Sequence, residues 1–167
     1  MNTIKYILLS SLVLFSFSCK EKTEYEMDLV LENSTENSIT VELFPNSKYK
    51  HDDMYRTSDI GEGYNFTKFT IFANSKEVFF TSKDINQQPC DLLSNVFDSI
   101  HISINNESQY VIKFSKDAVI GYSDNIFTEN SIWDYEIIND DRPTQFAKNP
   151  VEVHLFTFEV SINKLIK

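Results

Sequence analysis

From Tyr25 the chain alternates. Tyr25, Met27, Leu29 and Leu31 fall on one parity, with Glu24, Glu26, Asp28 and Glu32 on the other, and Val30 alone breaks the polar set. Period-two patterning of this kind marks a strand with one face in a core and one in water. Ile39, Val41 and Leu43 repeat it after the polar cluster 33–38 (NSTENS), so the two runs predict a hairpin. A second predicted hairpin joins Phe66–Phe72 to Lys76–Thr81 through Ala73-Asn74-Ser75, where Asn tolerates the positive φ of a tight turn. A third joins Ile100, Ile102 and Ile104 to Tyr110, Ile112 and Phe114 through 105–108. Trp133, Tyr135 and Ile137 suggest one short strand. The last strand, 151–162, changes phase: Val151, Val153 and Leu155 share one parity, whereas Phe156, Phe158, Val160 and Ile162 share the other. Either a bulge sits near Leu155-Phe156 or both faces are covered. Leu92–Phe97 suggests one helical turn, and no stretch of ten residues has a convincing helical period.

Strands at short spacing with polar turns predict an all-β fold, an antiparallel β-sandwich of about seven strands; a small β-barrel is the alternative. The sandwich is preferred because the long irregular stretches 45–63 and 115–130 look like crossovers between sheets.

The first nineteen residues, MNTIKYILLSSLVLFSFSC, have a different character. Lys5 precedes an apolar run from Tyr6 to Phe17 that is too short for a permanent membrane span and has the length of a secretory h-region. The run ends Ser18-Cys19. This resembles the lipobox of bacterial lipoproteins, although Phe17 stands where a small residue is usual and Ser16 where Leu is commonest. The resemblance implies lipidation of the Cys19 thiol, cleavage before it and acylation of the new amine. Several acyl chains hold a protein to a bilayer firmly, because each buried CH₂ contributes about 0.8 kcal/mol and one chain alone is marginal. The organisation expected is a signal peptide at 1–18, a lipidated tether at 19–24 and one β-rich domain at 25–167. A plain cleaved signal or a retained N-terminal helix are the other readings of the same stretch.

The tether Lys20-Glu21-Lys22-Thr23-Glu24 is charged, like the export signals that follow the lipidated cysteine in Bacteroidota surface lipoproteins. The stretches LVLENSTENSITVELF, DAVIGYSDNIFTENSIWDYE and NPVEVHLFTFEV also resemble small lipoproteins of Bacteroidota. That group implies an outer-membrane location, periplasmic or surface-facing, and no mechanism.

Charge narrows the choice of partner. The 15 Lys plus Arg and 25 Asp plus Glu give a net charge of −10. Removal of 1–18 takes away Lys5 and leaves 14 basic against 25 acidic residues, or −11. An acidic surface argues against nucleic acid and repels anionic headgroups, leaving the acyl chains to hold the membrane.

Candidate chemistry is sparse. His51, His101 and His154 lie in no nucleophile elbow or His-Glu-x-x-His motif, and His154 shares parity with Phe156 and Phe158. Cys90 is the thiol left once Cys19 is acylated, and burial beside Pro89 and Leu92 is expected. Asp117, Asp124, Glu129, Asp134, Glu136, Asp140 and Asp141 crowd one region without the Asp-x-Asp-x-Asp-Gly spacing of a calcium loop. No metal or cofactor is expected. Tyr122, Phe127, Trp133 and Tyr135 are the candidate binding residues, because loop aromatics stack on sugars or anchor proteins; core packing competes with that role. The reading is a non-enzymatic envelope lipoprotein that binds an unknown protein or glycan or serves a structural role. The alternatives are a small carboxylate-dependent hydrolase and an inhibitor or immunity-type lipoprotein.

Overall fold

The computed structural model describes residues 24–47, 67–82, 84–105, 110–140 and 151–166. Among these residues nine strands form two open sheets: β1 (Glu24–Asn33), β2 (Ile39–Pro45), β3 (Lys68–Ile71), β4 (Ser75–Ser82), β5 (Phe97–Ile104), β6 (Tyr110–Ser115), β7 (Val119–Ile120), β8 (Asp134–Asp140) and β9 (Val151–Val160). The four-stranded sheet has the order β4-β1-β9-β8 and the five-stranded sheet β3-β2-β5-β6-β7. The fold is an all-β sandwich rather than a closed barrel. Among the described residues the strands outnumber the expected seven, and the two-residue β7, at one edge of the larger sheet, is the one that the sequence pattern does not announce.

Pairing departs from the sequence reading in an instructive way. β5 and β6 form the expected hairpin, with Ile100 opposite Phe114 and Ile102 opposite Ile112. The first two expected hairpins do not exist. β1 and β2 belong to different sheets, as do β3 and β4, so the turns at 34–38 and 72–74 arch across the sandwich. An alternating strand buries the same face whether its successor lies beside it or across from it, so alternation cannot distinguish arch from hairpin.

What bends these turns into arches is a buried amide. Asn33, fully buried at the end of β1, donates through Nδ2 to the carbonyls of Asn37 (2.8 Å), Phe72 (3.0 Å) and Ile71 (3.2 Å). Its Oδ1 accepts from the Thr35 amide at 3.1 Å and lies 2.8 Å from Thr35 Oγ1. One side chain thereby ties the first arch to the second. Asn74 takes φ 53, the left-handed conformation expected at that turn.

The crossover assignment also changes. Residues 45–63 lie between β2 and β3, which are neighbours in the same sheet, so that connection is not an inter-sheet crossover; residues 48–66 are outside the described set. The stretch after β6 does change sheets, on the way from β7 to β8.

A short helix, α1 (Pro89–Val96), carries the chain from β4 to β5. Pro89 suits the first helical turn, where its missing N–H costs nothing. The helix buries Pro89, Cys90, Leu92, Leu93 and Val96, and Phe97 both ends it and begins β5.

β9 settles the phase question. It pairs in unbroken register with β1, in parallel, and with β8, antiparallel, straight through Leu155-Phe156. No bulge occurs there. Phe158 and Val160 instead enter the main core, while Val153 is buried on the opposite face with Ile138 and Leu155 packed against it. Apolar residues therefore occupy both faces. Val30, the residue out of pattern in β1, is likewise buried, beside a register shift between β1 and β4.

The core between the sheets is rich in aromatic rings. Phe158 meets Phe114 (5.8 Å between centroids), Tyr122 (5.8 Å) and Trp133 (5.7 Å) in edge-on and tilted contacts, the arrangement that ring quadrupoles favour.

Candidate functional site

Of the four aromatics singled out by sequence, three are core. Tyr122, Phe127 and Trp133 are 1%, 3% and 6% exposed, whereas Tyr135 is 51% exposed. The first three have structural work to do. Tyr122 donates its phenol hydrogen to the Glu159 carbonyl at 3.1 Å and accepts from the Ser161 amide at 3.0 Å, pinning the chain as it leaves β9. Burial pushes that phenol up to about 12. Phe127 sits in a compact turn built on Asn125: Oδ1 accepts from the Phe127 amide at 3.1 Å, Nδ2 donates to the Ser115 carbonyl at 3.0 Å, and the Glu129 carboxylate accepts from the Asn125 amide. Trp133 lies against Phe158, and its indole N–H faces the Cys90 thiol with no hydrogen-bond partner of good geometry. Burial, with Asp91 adding, pushes the Cys90 thiol up to about 11. Its Sγ donates to the Ile126 carbonyl at 3.4 Å. A thiol held protonated and buried is a poor nucleophile.

Tyr135 stands elsewhere, on a face assembled from three strands. On β1, Tyr25 shares the core-directed parity of Met27 but is 45% exposed. In β9, Glu152 pairs with Tyr25, His154 with Met27 and Phe156 with Leu29. In β8, Tyr135 pairs with Phe156 and Ile137 with His154. The face that is core near Phe158 thus continues into an exposed patch of Tyr25, Tyr135 and Ile137, the last also 51% exposed.

His154 organises the patch. Its Nδ1 lies 2.7 Å from the Tyr135 hydroxyl, and its Nε2 lies 3.2 Å from Glu152 Oε1, an ion-pair distance without hydrogen-bond alignment. The carboxylate favours the tautomer with hydrogen on Nε2, leaving Nδ1 to accept from the phenol. Tyr25 and Tyr135 flank the imidazole at 6.4 and 5.8 Å, and Tyr135 tilts over Phe156 at 4.8 Å.

This arrangement holds rings in place. A general base must offer a free nitrogen to its substrate, and here both nitrogens of His154 face neighbours. The patch can instead present two tyrosine rings and an isoleucine, oriented from behind, to a partner.

The other candidates do not converge. Asp124 pairs with Lys164 at 2.9 Å, Glu129 closes the Asn125 turn, and Asp134 and Glu136 lie exposed on the far face of β8. Among the described residues no three His, Cys, Asp or Glu side chains come together as a metal site. His101 packs on Phe44 at 4.4 Å; burial, with Lys113 nearby, lowers its pKa against the pull of Glu42. Cys19, His51 and Asp141 lie outside the described residues.

Tyr25 and His154 were missed as partners of Tyr135 because 110 residues separate Tyr25 from Tyr135 in sequence. The parallel pairing of β1 with β9 brings Tyr25 to this group, and the antiparallel pairing of β8 with β9 brings Tyr135 beside His154. The available signal was their parity: both share the core-directed phase of their strands.

Compared with family models, curated proteins and solved structures, the chain has no match, and its function is argued from this geometry and from the sequence.

Proposed function

We propose that the chain is a cell-envelope lipoprotein, anchored to the outer membrane through acylated Cys19, whose domain works as a non-enzymatic binding module. The observation that carries the binding role is the Tyr25–Tyr135–Ile137 patch, continuous with the core yet exposed. Aromatic side chains backed by a hydrogen-bonded network lose little conformational entropy on contact, which suits them to anchor a partner. The Nδ1 of His154 taken up by Tyr135, its Nε2 set beside the Glu152 carboxylate, the protonated thiol of Cys90 and the dispersed carboxylates all weigh against the hydrolase alternative. Anchoring is supported by the Ser18-Cys19 junction and the charged tether. No helix among the described residues is long and apolar enough to cross a membrane.

The test is capture by cross-linking in intact envelopes, comparing wild type with a Tyr135→Ser/Ile137→Ser variant. Both residues are half-exposed, so the variant is expected to fold and to lose the cross-linked partner. Equal capture by both proteins would refute the assignment of this patch.

A further inference from the structure

Each open sheet leaves two edges, and the four edges differ. β7 has two residues and β3 four, too short to template much pairing. β4 is longer but buries Phe79, Phe80 and Ser82. β8 is the exception: it runs seven residues, Asp134–Asp140, and residues 134–137 and 139 are exposed with Ile138 half-buried. Among the described residues its only strand neighbour is β9.

We propose that the free edge of β8 takes up an extended, basic polypeptide segment as an added strand. This rests on the binding-module reading above and names the class of its partner. An unpaired strand edge presents a row of N–H and C=O groups that another backbone can complete. Side chains give the selectivity. Tyr135 and Ile137 point to the core-side face, continuous with Phe156, while Asp134 and Glu136 point to the opposite face. A strand laid beside β8 places its own side chains alternately next to each set. The complementary sequence alternates apolar residues, which extend the aromatic patch, with Lys or Arg, which meet the carboxylates.

Charge also selects against a second copy of this chain. Antiparallel pairing of two β8 edges along their length sets Asp134 of one copy at the position opposite Asp140 of the other, at both ends of the pair, on chains of net charge −10. Like charges across a strand pair are destabilising. Acidic residues are a common guard against edge-to-edge aggregation, and here the guard that rejects self is attractive to a cation. Neither Asp134 nor Glu136 makes an ion pair among the described residues.

The test uses the full chain in a neutral detergent and two fluorescent peptides, one of alternating lysine and valine and one of alternating glutamate and valine. Hydrogen exchange read by mass spectrometry should slow about tenfold or more over residues 134–140 when the lysine peptide saturates, with β4 unchanged. A Asp134→Lys/Glu136→Lys variant should bind the lysine peptide about tenfold more weakly and turn its preference to the glutamate peptide. Unchanged exchange over 134–140 at saturation would overturn the proposal, as would equal affinity of the charge-reversed variant for the lysine peptide. Protection in the free chain of those amides of 134–140 that point away from β9 would overturn it too, since the outer edge would then be covered. If the envelope capture still depends on Tyr135 and Ile137 while the peptide fails, the binding-module reading stands and the added-strand reading falls.

Discussion

Replacing Asn33 with alanine removes the one side chain that joins the two arches. Asn33 is fully buried and touches five polar groups: three carbonyls, of Asn37, Ile71 and Phe72, and the amide and hydroxyl of Thr35. A net hydrogen bond contributes about 1 kcal/mol, and a buried group left without a partner costs about 1–3 kcal/mol. The Thr35 hydroxyl can turn to the Asn37 carbonyl, 2.8 Å away, so part of the network heals itself. The Ile71 and Phe72 carbonyls and the Thr35 amide lose their bonds to the amide side chain. Nδ2 has two hydrogens for its three carbonyls, so Ile71 and Phe72 share one; that loss and the loss at the Thr35 amide give about 2 kcal/mol, or roughly 4–8 °C in Tm for a domain of this size. The assay is urea unfolding of residues 20–167, followed by circular dichroism and by the fluorescence of Trp133, the only Trp and a buried one. The slope with urea should stay constant if both proteins unfold from the same sandwich. A Thr35→Val change made alone and together with Asn33→Ala should show coupling of about 1 kcal/mol. A loss below about 1 kcal/mol for Asn33→Ala would mean that water or local relaxation replaces the amide, and the claim that it pins both arches would fail.

Three further outcomes are expected of the same domain. Trp133→Ala should cost about 3–5 kcal/mol in urea unfolding, as for a buried aromatic, while Tyr135→Ala should cost under about 1 kcal/mol; equal losses would contradict their placement. Gly121→Ala should cost about 2 kcal/mol or more, because Gly121 has φ +78 and an added Cβ would lie 2.9 Å from the Val111 carbonyl oxygen; an unchanged Tm would refute that geometry. Cys90 and Tyr122 are held protonated by burial, at about 11 and about 12 against ordinary values of 9.0 and 10.0. Their contribution is therefore complete below about pH 9 and declines as pH rises towards 11–12, because the unfolded chain loses these protons first. Cys90→Ser and Tyr122→Phe should each flatten the alkaline limb of a stability–pH curve, and an unaltered limb in both would disprove the cause.

The strands most legible in sequence are those that keep a strict parity: Ile39, Val41 and Leu43 in β2, or Ile100, Ile102 and Ile104 in β5. Their partners were legible only where the turn was local and within one sheet, as between β5 and β6. Asn33 and Thr35 read as turn residues, which they are, but nothing local distinguishes a solvated Asn from one buried under a second arch. The parallel pairing of β1 with β9 is the most distant in sequence of the described strand pairings and has no local signature at all. The candidate site suffered for the same reason. Trp133 and Tyr135 are two residues apart and were grouped together, yet Trp133, just before β8, is buried in the main core against Phe158, while Tyr135 on β8 is half-exposed. Exposure here depends on how far the facing sheet reaches, which only the assembled fold decides.

The central claim, a lipid-anchored envelope module, is tested most directly by labelling at Cys19. Cells expressing wild type or Cys19→Ala are grown with radiolabelled palmitate, and the chain is recovered from the membrane and soluble fractions. The account predicts label and membrane recovery for wild type, with Cys19→Ala unlabelled and either soluble or left as an uncleaved precursor. Equal labelling of the two proteins, or no labelling of either, would contradict it.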